Sequence, residues 1–209
     1  MTTDAAATDP ADVHPDSRTT RTVEALRVAI LRLAAEQHVD RLSVAQIAQA
    51  AEIHRVTFYD HARSPSALLA RVIRDELERV RQDSFASGVA REPSLHESVR
   101  HTALGVAALV ESHRAIFTHL LAEHSRTTAH DLLAPHFEQT LGELISARTA
   151  AEETAPQGAP LPNADAALAR YVAYGSVGAM EVWFAGDPAR DPENYYRLIE
   201  PLLPDWLVA

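Results

Sequence analysis

Apolar residues recur at spacings of three and four in almost every segment after residue 18, and no convincing stretch alternates apolar with polar as a half-buried strand would. A chain with that period buries stripes along helices and has no pleated face from which to build a sheet. The fold class this implies is all-α. Seven glycines in 209 residues leave long helices uninterrupted, and a hydrophobic content of 46% is enough to bury a substantial core.

The spacing predicts a first helix over Thr22 to His38, with Val23, Leu26, Ile30, Leu33 and Ala34 on one face. Ser43 stands where an N-cap belongs, ahead of a short helix that carries Val44, Ile47, Ala48 and Ala51. A third short helix begins near Ile53 or His54 and runs to about His61. Ser64 and Pro65 open a fourth, with Leu68, Leu69, Val72, Ile73, Leu77 and Val80 on its buried side. Longer elements follow: Pro93 to about Glu111, a helix capped by Ser112, about Ala129 to Glu153, and Asp165 to about Ala185. A terminal helix then runs from Pro192 to residues 204–206. Residues 154–163, with three prolines and a glycine, break the helix and form a loop.

Composition narrows the chemistry. The absence of cysteine excludes a disulfide framework, a thiol nucleophile and Cys-ligated zinc, and fits a reducing cytosol. Residues 1–17 hold four Asp and no basic residue, lack an apolar core and so are no secretory signal; they read as a disordered acidic tail. The longest apolar run, Ala166 to Ala185, is interrupted by Arg170 and Glu181, which favours a buried helix over a membrane span. The expectation is a soluble, cytoplasmic protein.

The formal net charge is −10, but it is unevenly spread: −4 over residues 1–17, +3 over 18–82 and −9 over 83–209. The positive segment contains SVAQIAQAAEIHRVTFYDHA, residues 43–62. Two short helices joined by a tight turn make a helix-turn-helix, whose second helix lies in the DNA major groove while the first braces it. With Ile47, Ile53 and Phe58 turned inward, helical geometry leaves His54, Arg55, Thr57, Tyr59 and His61 on the outward and lateral faces. Arg55 is suited to a guanine edge. Thr57, Tyr59 and the Ser43 hydroxyl or its helix N-terminus are suited to phosphate oxygens, and Val56 to a thymine methyl. Arg18 and Arg21, ahead of the first helix, are within reach of the backbone or an adjacent minor groove.

Residues 22–69 resemble the DNA-binding domain of the TetR family of transcriptional regulators. The likeness is carried by the long first helix, the segment LSVAQIA at 42–48, the TFYDH signature at 57–61, and Leu68 and Leu69 in the fourth helix. There are departures. Glu52 stands at the family's usual turn glycine, His54 at the usual serine that opens the recognition helix, and Val56 at a usually small position. Ala62, Pro65 and Ser66 replace a common Phe, Lys and Glu, so a lysine that often contacts phosphate is missing. These changes bear on the operator sequence and the phosphate footprint more than on the fold.

The resemblance implies an N-terminal helix-turn-helix domain over 18–82, including the start of the linking fourth helix. It also implies a helical bundle over 83–209 that binds a small molecule and dimerises. Residues 174–184, YGSVGAMEVWF, are similar to the last long helix of one TetR subgroup. Gly175, Ser176, Gly178 and Ala179 permit close helix approach, which assigns Ala166 to Ala185 to a four-helix dimer interface. The helix with Leu132, Leu133, Phe137, Leu141 and Leu144 joins it there. Candidate pocket residues are Phe117, His119, Leu120, His124, Phe137, Tyr171, Tyr174, Met180 and Trp183.

Seven of the eleven histidines lie between 96 and 136, yet none pairs with another at i, i+4 within a helix, so no metal site and no cofactor is expected. The function expected is a dimeric, ligand-responsive regulator, a repressor released from a near-palindromic operator by a small molecule. The alternatives are a helical adaptor that keeps the fold without reading DNA, and a small-molecule-binding enzyme with His119, Glu123 and His124 as acid, base or ligands. No nucleophile elbow, phosphate loop or paired metal motif supports the enzyme.

Overall fold

The computed structural model describes residues 15–86, 95–122, 129–151, 163–186 and 191–208. Among these residues the regular structure is helical: α1 (Pro15–Glu36), α2 (Val44–Ala50), α3 (Arg55–His61), α4 (Pro65–Ala86), α5 (Leu95–Ser112), α6 (Arg114–Ala122), α7 (Ala129–Ala151), α8 (Ala164–Ala185), α9 (Pro192–Ile199) and α10 (Asp205–Val208). Single 3-10 turns occur at Val39–Arg41 and Glu200–Leu202. No helix of the described residues is long and apolar enough to cross a membrane.

The first four helices share one small core. Leu26 and Ile30 of α1, Ile47 of α2, Phe58 of α3 and Leu68, Leu69 and Ile73 of α4 are fully buried and touch a common cluster. Burying a side chain such as Phe58 is worth roughly 2–3 kcal/mol, enough to fix a seven-residue helix that would not form alone. Ile53 is only partly buried, at the edge of this core.

Several boundaries differ from those expected. α1 starts at Pro15 rather than Thr22, a proline at the first helical position with its fixed φ and no amide to leave unpaired. Ser112 ends α5 instead of capping α6: its hydroxyl donates to the Leu109 carbonyl, and His113 sits between the two helices. The C-terminal segment is broken into α9, a 3-10 turn and α10, because Pro201 and Pro204 cannot donate amide bonds to a continuing helix.

In the larger half α7 and α8 pair along their length, and α5 packs on α4 and α9. Leu132, Leu133, Phe137, Leu141 and Leu144 are buried inside the chain itself, so α7 offers these residues to its own bundle and not to a second molecule. α9 is moored to α8 by the fully buried Tyr195, whose hydroxyl donates to the Ser176 carbonyl at 3.2 Å. α4 and α5 approach closely at Gly105, where an added Cβ would lie 2.5 Å from Cγ1 of Val80.

Candidate nucleic-acid interface

The brace helix begins with a reciprocal cap. The amide of Gln46 donates to Oγ of Ser43 at 3.3 Å, and the amide of Ser43 donates to Oε1 of Gln46 at 2.9 Å. The Ser43 hydroxyl also donates to that same Oε1, at 2.7 Å. The serine hydroxyl thus gives its donor to holding α2 in shape, and the amides of the first turn are what the helix N-terminus offers a phosphate.

Glu52 makes the turn. Its φ of 55° is left-handed, and the flanking bonds are those of a Schellman closure: the Ile53 amide donates to the Ala48 carbonyl at 2.9 Å and the Glu52 amide to Gln49 at 3.2 Å. A side chain with a Cβ carries a cost of about 1 kcal/mol in this region, which the surrounding core tolerates.

α3 then projects its outer face. Val56 is 74% exposed and Tyr59 61% exposed, with His54 and Arg55 also exposed and Thr57 and His61 half-buried. The Tyr59 ring meets Phe58 edge-on at 5.7 Å, so one ring anchors the helix while the other faces outward. His54 occupies the N-cap position without making a cap bond. Arg21 is exposed on α1; the side chain of Arg18 lies outside the described residues. The helix brings Arg55, Val56 and Tyr59 onto one projecting surface, with His54 at its leading end.

Sequence reading missed Arg71. Its Nη1 donates to the carbonyl of His61 at 2.6 Å, satisfying an orphan acceptor at the end of α3 from the neighbouring helix. A cation near a helix C-terminus also opposes the negative end of the dipole. The signal lay ten residues away on α4, where the spacing pattern offers only an arginine among several. Ser66 of α4 likewise reaches Asp40, donating at 3.1 Å.

α4 connects this surface to the bundle through charge. Oε1 of Glu76 accepts from Nη1 of Arg27 on α1 at 3.0 Å, and Oε2 accepts from Nε2 of His113 at 2.5 Å. Farther along, Arg81 pairs with Glu78 and with Glu143 of α7. On α6, Nε2 of His119 donates to the carbonyl of Ala35 in α1 at 3.3 Å.

In the bundle a groove of about 540 Å³ runs along the outer side of α8, lined by residues that include Tyr171, Tyr174, Gly175 and Leu202. A cavity of about 30 Å³ lies inward, bounded by Val99, Phe137, Thr140 and Leu144 among others. Of the expected pocket residues, Tyr171 and Tyr174 line the groove and Phe137 the inner cavity. Phe117, Leu120, Met180 and Trp183 are packed into the core and line neither, and His119 is turned toward α1. Large side chains at helical spacing fill space more readily than they surround it. His124 lies outside the described residues. No group of three or more His, Asp or Glu able to hold a metal occurs among the described residues.

No family model matches the chain, and no curated protein matches it. Solved structures do. FadR of Thermus thermophilus, a TetR-family transcriptional repressor solved with lauroyl-CoA, is 18% identical, with a TM-score of 0.60 over 87% of this chain and 95% of that one. NalD of Pseudomonas aeruginosa, the secondary repressor of the MexAB-OprM multidrug efflux pump, is 19% identical, with a TM-score of 0.54 over 88% and 96%. A TetR-family regulator from Streptomyces coelicolor is 19% identical, with a TM-score of 0.54 over 87% and 78%. The order of elements and superposition over 87–88% of its length give this chain the fold of the TetR-family transcriptional regulators.

Proposed function

We propose that the protein is a dimeric, sequence-specific DNA-binding regulator whose operator affinity is set by a small molecule held in the bundle. The observation that carries this is the recognition surface: Phe58 and Ile47 are sealed in the core, and Arg55, Val56 and Tyr59 stand outward on a helix fastened at its far end by Arg71. In this reading Arg55 reads a guanine edge, Val56 meets a thymine methyl, and Thr57, Tyr59 and His61 position the helix against phosphates. Arg18 and Arg21 add backbone or minor-groove contacts, and His54 lies at the helix end nearest the bases.

Pairing through α8 supports the dimer. The outward stripe in the second half of that helix includes Gly178 and Val182, the latter 65% exposed, and Gly178 has no atom within 4 Å of an added Cβ, so a partner helix has room to approach there. The effector acts by favouring one spacing of the two recognition helices, and it shifts operator affinity by its differential affinity for the two states. The neighbours that include repressors support repression as the sign of control. The division into a reading half over 18–82 and a sensing half over 83–209 follows the charge distribution, with α4 spanning both.

Selection of bound sequences from random DNA duplexes by the purified full-length protein tests the reading. The expected product is a near-palindromic motif bound with affinity that falls steeply as salt rises. Arg55→Ala relaxes preference at one base pair of each half-site and does not merely weaken binding throughout. Recovery of no motif above random DNA, or an Arg55→Ala profile identical to wild type, overturns it.

A further inference from the structure

The small cavity adjoins the groove: Val172, Ser176, Ile199 and Leu203 bound both. Its wall carries three buried hydroxyl residues, Thr102 of α5, Thr140 of α7 and Ser176 of α8, set among Val, Leu, Ile, Ala and Phe, and none of its lining residues is ionisable. Thr140 is 3% exposed, and its Oγ1 has no hydrogen-bond partner among the described residues. Buried hydroxyls are almost always matched, because an unmatched one forfeits its water without recompense. A hydroxyl both donates and accepts, so either a hydroxyl or a carbonyl oxygen matches it.

We propose that this cavity receives the polar end of the effector, and that the effector is an uncharged, mainly apolar molecule bearing one hydroxyl or carbonyl oxygen seated against Thr140. Its apolar length lies in the groove between the Tyr171 and Tyr174 rings and Leu202 and Leu203. The inference rests on the reading of the bundle as the sensing half and names the ligand class for it.

Size and charge both point this way. A space of about 30 Å³ admits a head of one or a few atoms and leaves the remainder of a ligand in the adjoining groove. An ion at Thr140 meets no counter-charge in the lining and loses its hydration, which is prohibitive in such surroundings. At the rim, Arg170 is already held by Glu138, with Nη2 to Oε1 at 3.2 Å and Nε to Oε2 at 3.3 Å, so an anionic head there has to displace a carboxylate.

Isothermal titration of the full-length protein with decanol and with decanoate at pH 8 tests the site, using Thr140→Val as the variant of matched shape. Decanol is expected to bind saturably at one per chain and decanoate at least about tenfold more weakly. Thr140→Val is expected to weaken decanol about fivefold, the worth of one neutral hydrogen bond, while raising the melting temperature of the unliganded protein, since an unmatched hydroxyl has been removed. Equal binding of the anion, failure of decanol to bind, or an unchanged decanol affinity in the variant each overturns the proposal. So does a lowered melting temperature in the variant, which marks a hydroxyl satisfied within the fold. Dissociation of dimers on adding decanol assigns the groove to a second copy and also overturns it. The random-duplex selection on the same preparation separates the two readings. A recovered operator without decanol binding leaves the regulator and removes the site, whereas decanol binding without an operator does the reverse.

Discussion

Nε2 of His113 donates to Oε2 of Glu76 across 2.5 Å, while the other oxygen of the same carboxylate holds Arg27 of α1 at 3.0 Å. One nearly buried acid thus joins the turn between α5 and α6 to the first helix of the chain. Removing Glu76 leaves Arg27 without its counter-charge and His113 without its hydrogen-bond partner. Because His113 and Arg27 retain some exposure, Glu76→Ala is expected to lower the unfolding free energy by about 2 kcal/mol. His113→Ala is expected to cost less, and the double variant to cost less than the sum, with a coupling on the order of 1 kcal/mol in urea unfolding. Strict additivity would show that the two groups do not share an interaction.

In the proposed reading Arg71 supports α3 from behind, giving one of its five N–H donors to the His61 carbonyl. Arg71→Met is expected to reduce stability by about 1–2 kcal/mol and to weaken operator binding while leaving the selected base sequence unchanged. A shifted motif would mean that Arg71 itself reads bases.

Glu52 holds a φ of 55° at the turn of the helix-turn-helix. Replacing it with glycine relieves the Cβ conflict at the same backbone shape, so Glu52→Gly is expected to raise stability by up to about 1 kcal/mol, measured by urea midpoint at constant slope. A destabilised variant would show that the glutamate side chain contributes more than its backbone costs.

His136 is buried on α7, and burial, aided by the positive charge of Arg81, pushes its imidazole down to about 4. The folded protein therefore keeps it neutral while the unfolded chain takes up a proton near the ordinary value of 6.5. The associated stability is complete above pH 6.5 and is lost as pH falls toward 4, by roughly 3 kcal/mol at most. Urea unfolding of wild type and His136→Leu at pH 7.5 and 4.5 checks this. The variant should lose less stability over that interval, and equal losses would exclude His136 as the cause.

Features built from neighbours in sequence were legible before any coordinates. The Ser43 cap, the Ser64 and Pro65 start of α4 and the anchoring Phe58 depend on residues within one or two turns of each other, where helical period dictates which side chains share a face. Arg71 to His61 and Glu76 to His113 were not, because partners ten and 37 positions apart meet only once helices have packed.

The bundle is less legible for a different reason. Phe117, Met180 and Trp183 drew notice by size, yet the inner cavity is bounded in part by Thr102, Thr140 and Ser176, small residues that leave room. Leu132, Leu133 and Leu141 of α7 are buried within the chain, and sequence alone cannot say whether an apolar helix face meets its own bundle or a second copy.

The ties along α4 also bear on protein engineering. Ser66, Arg71, Glu76 and Arg81 successively grip Asp40, the end of α3, the α1 and α5–α6 junction, and α7. A hybrid that joins a foreign helical bundle to this N-terminal segment at either end of the helix severs some of those grips and keeps the rest. The workable seam for such a transplant lies past Glu76, with a histidine or arginine to meet that acid supplied by the incoming bundle.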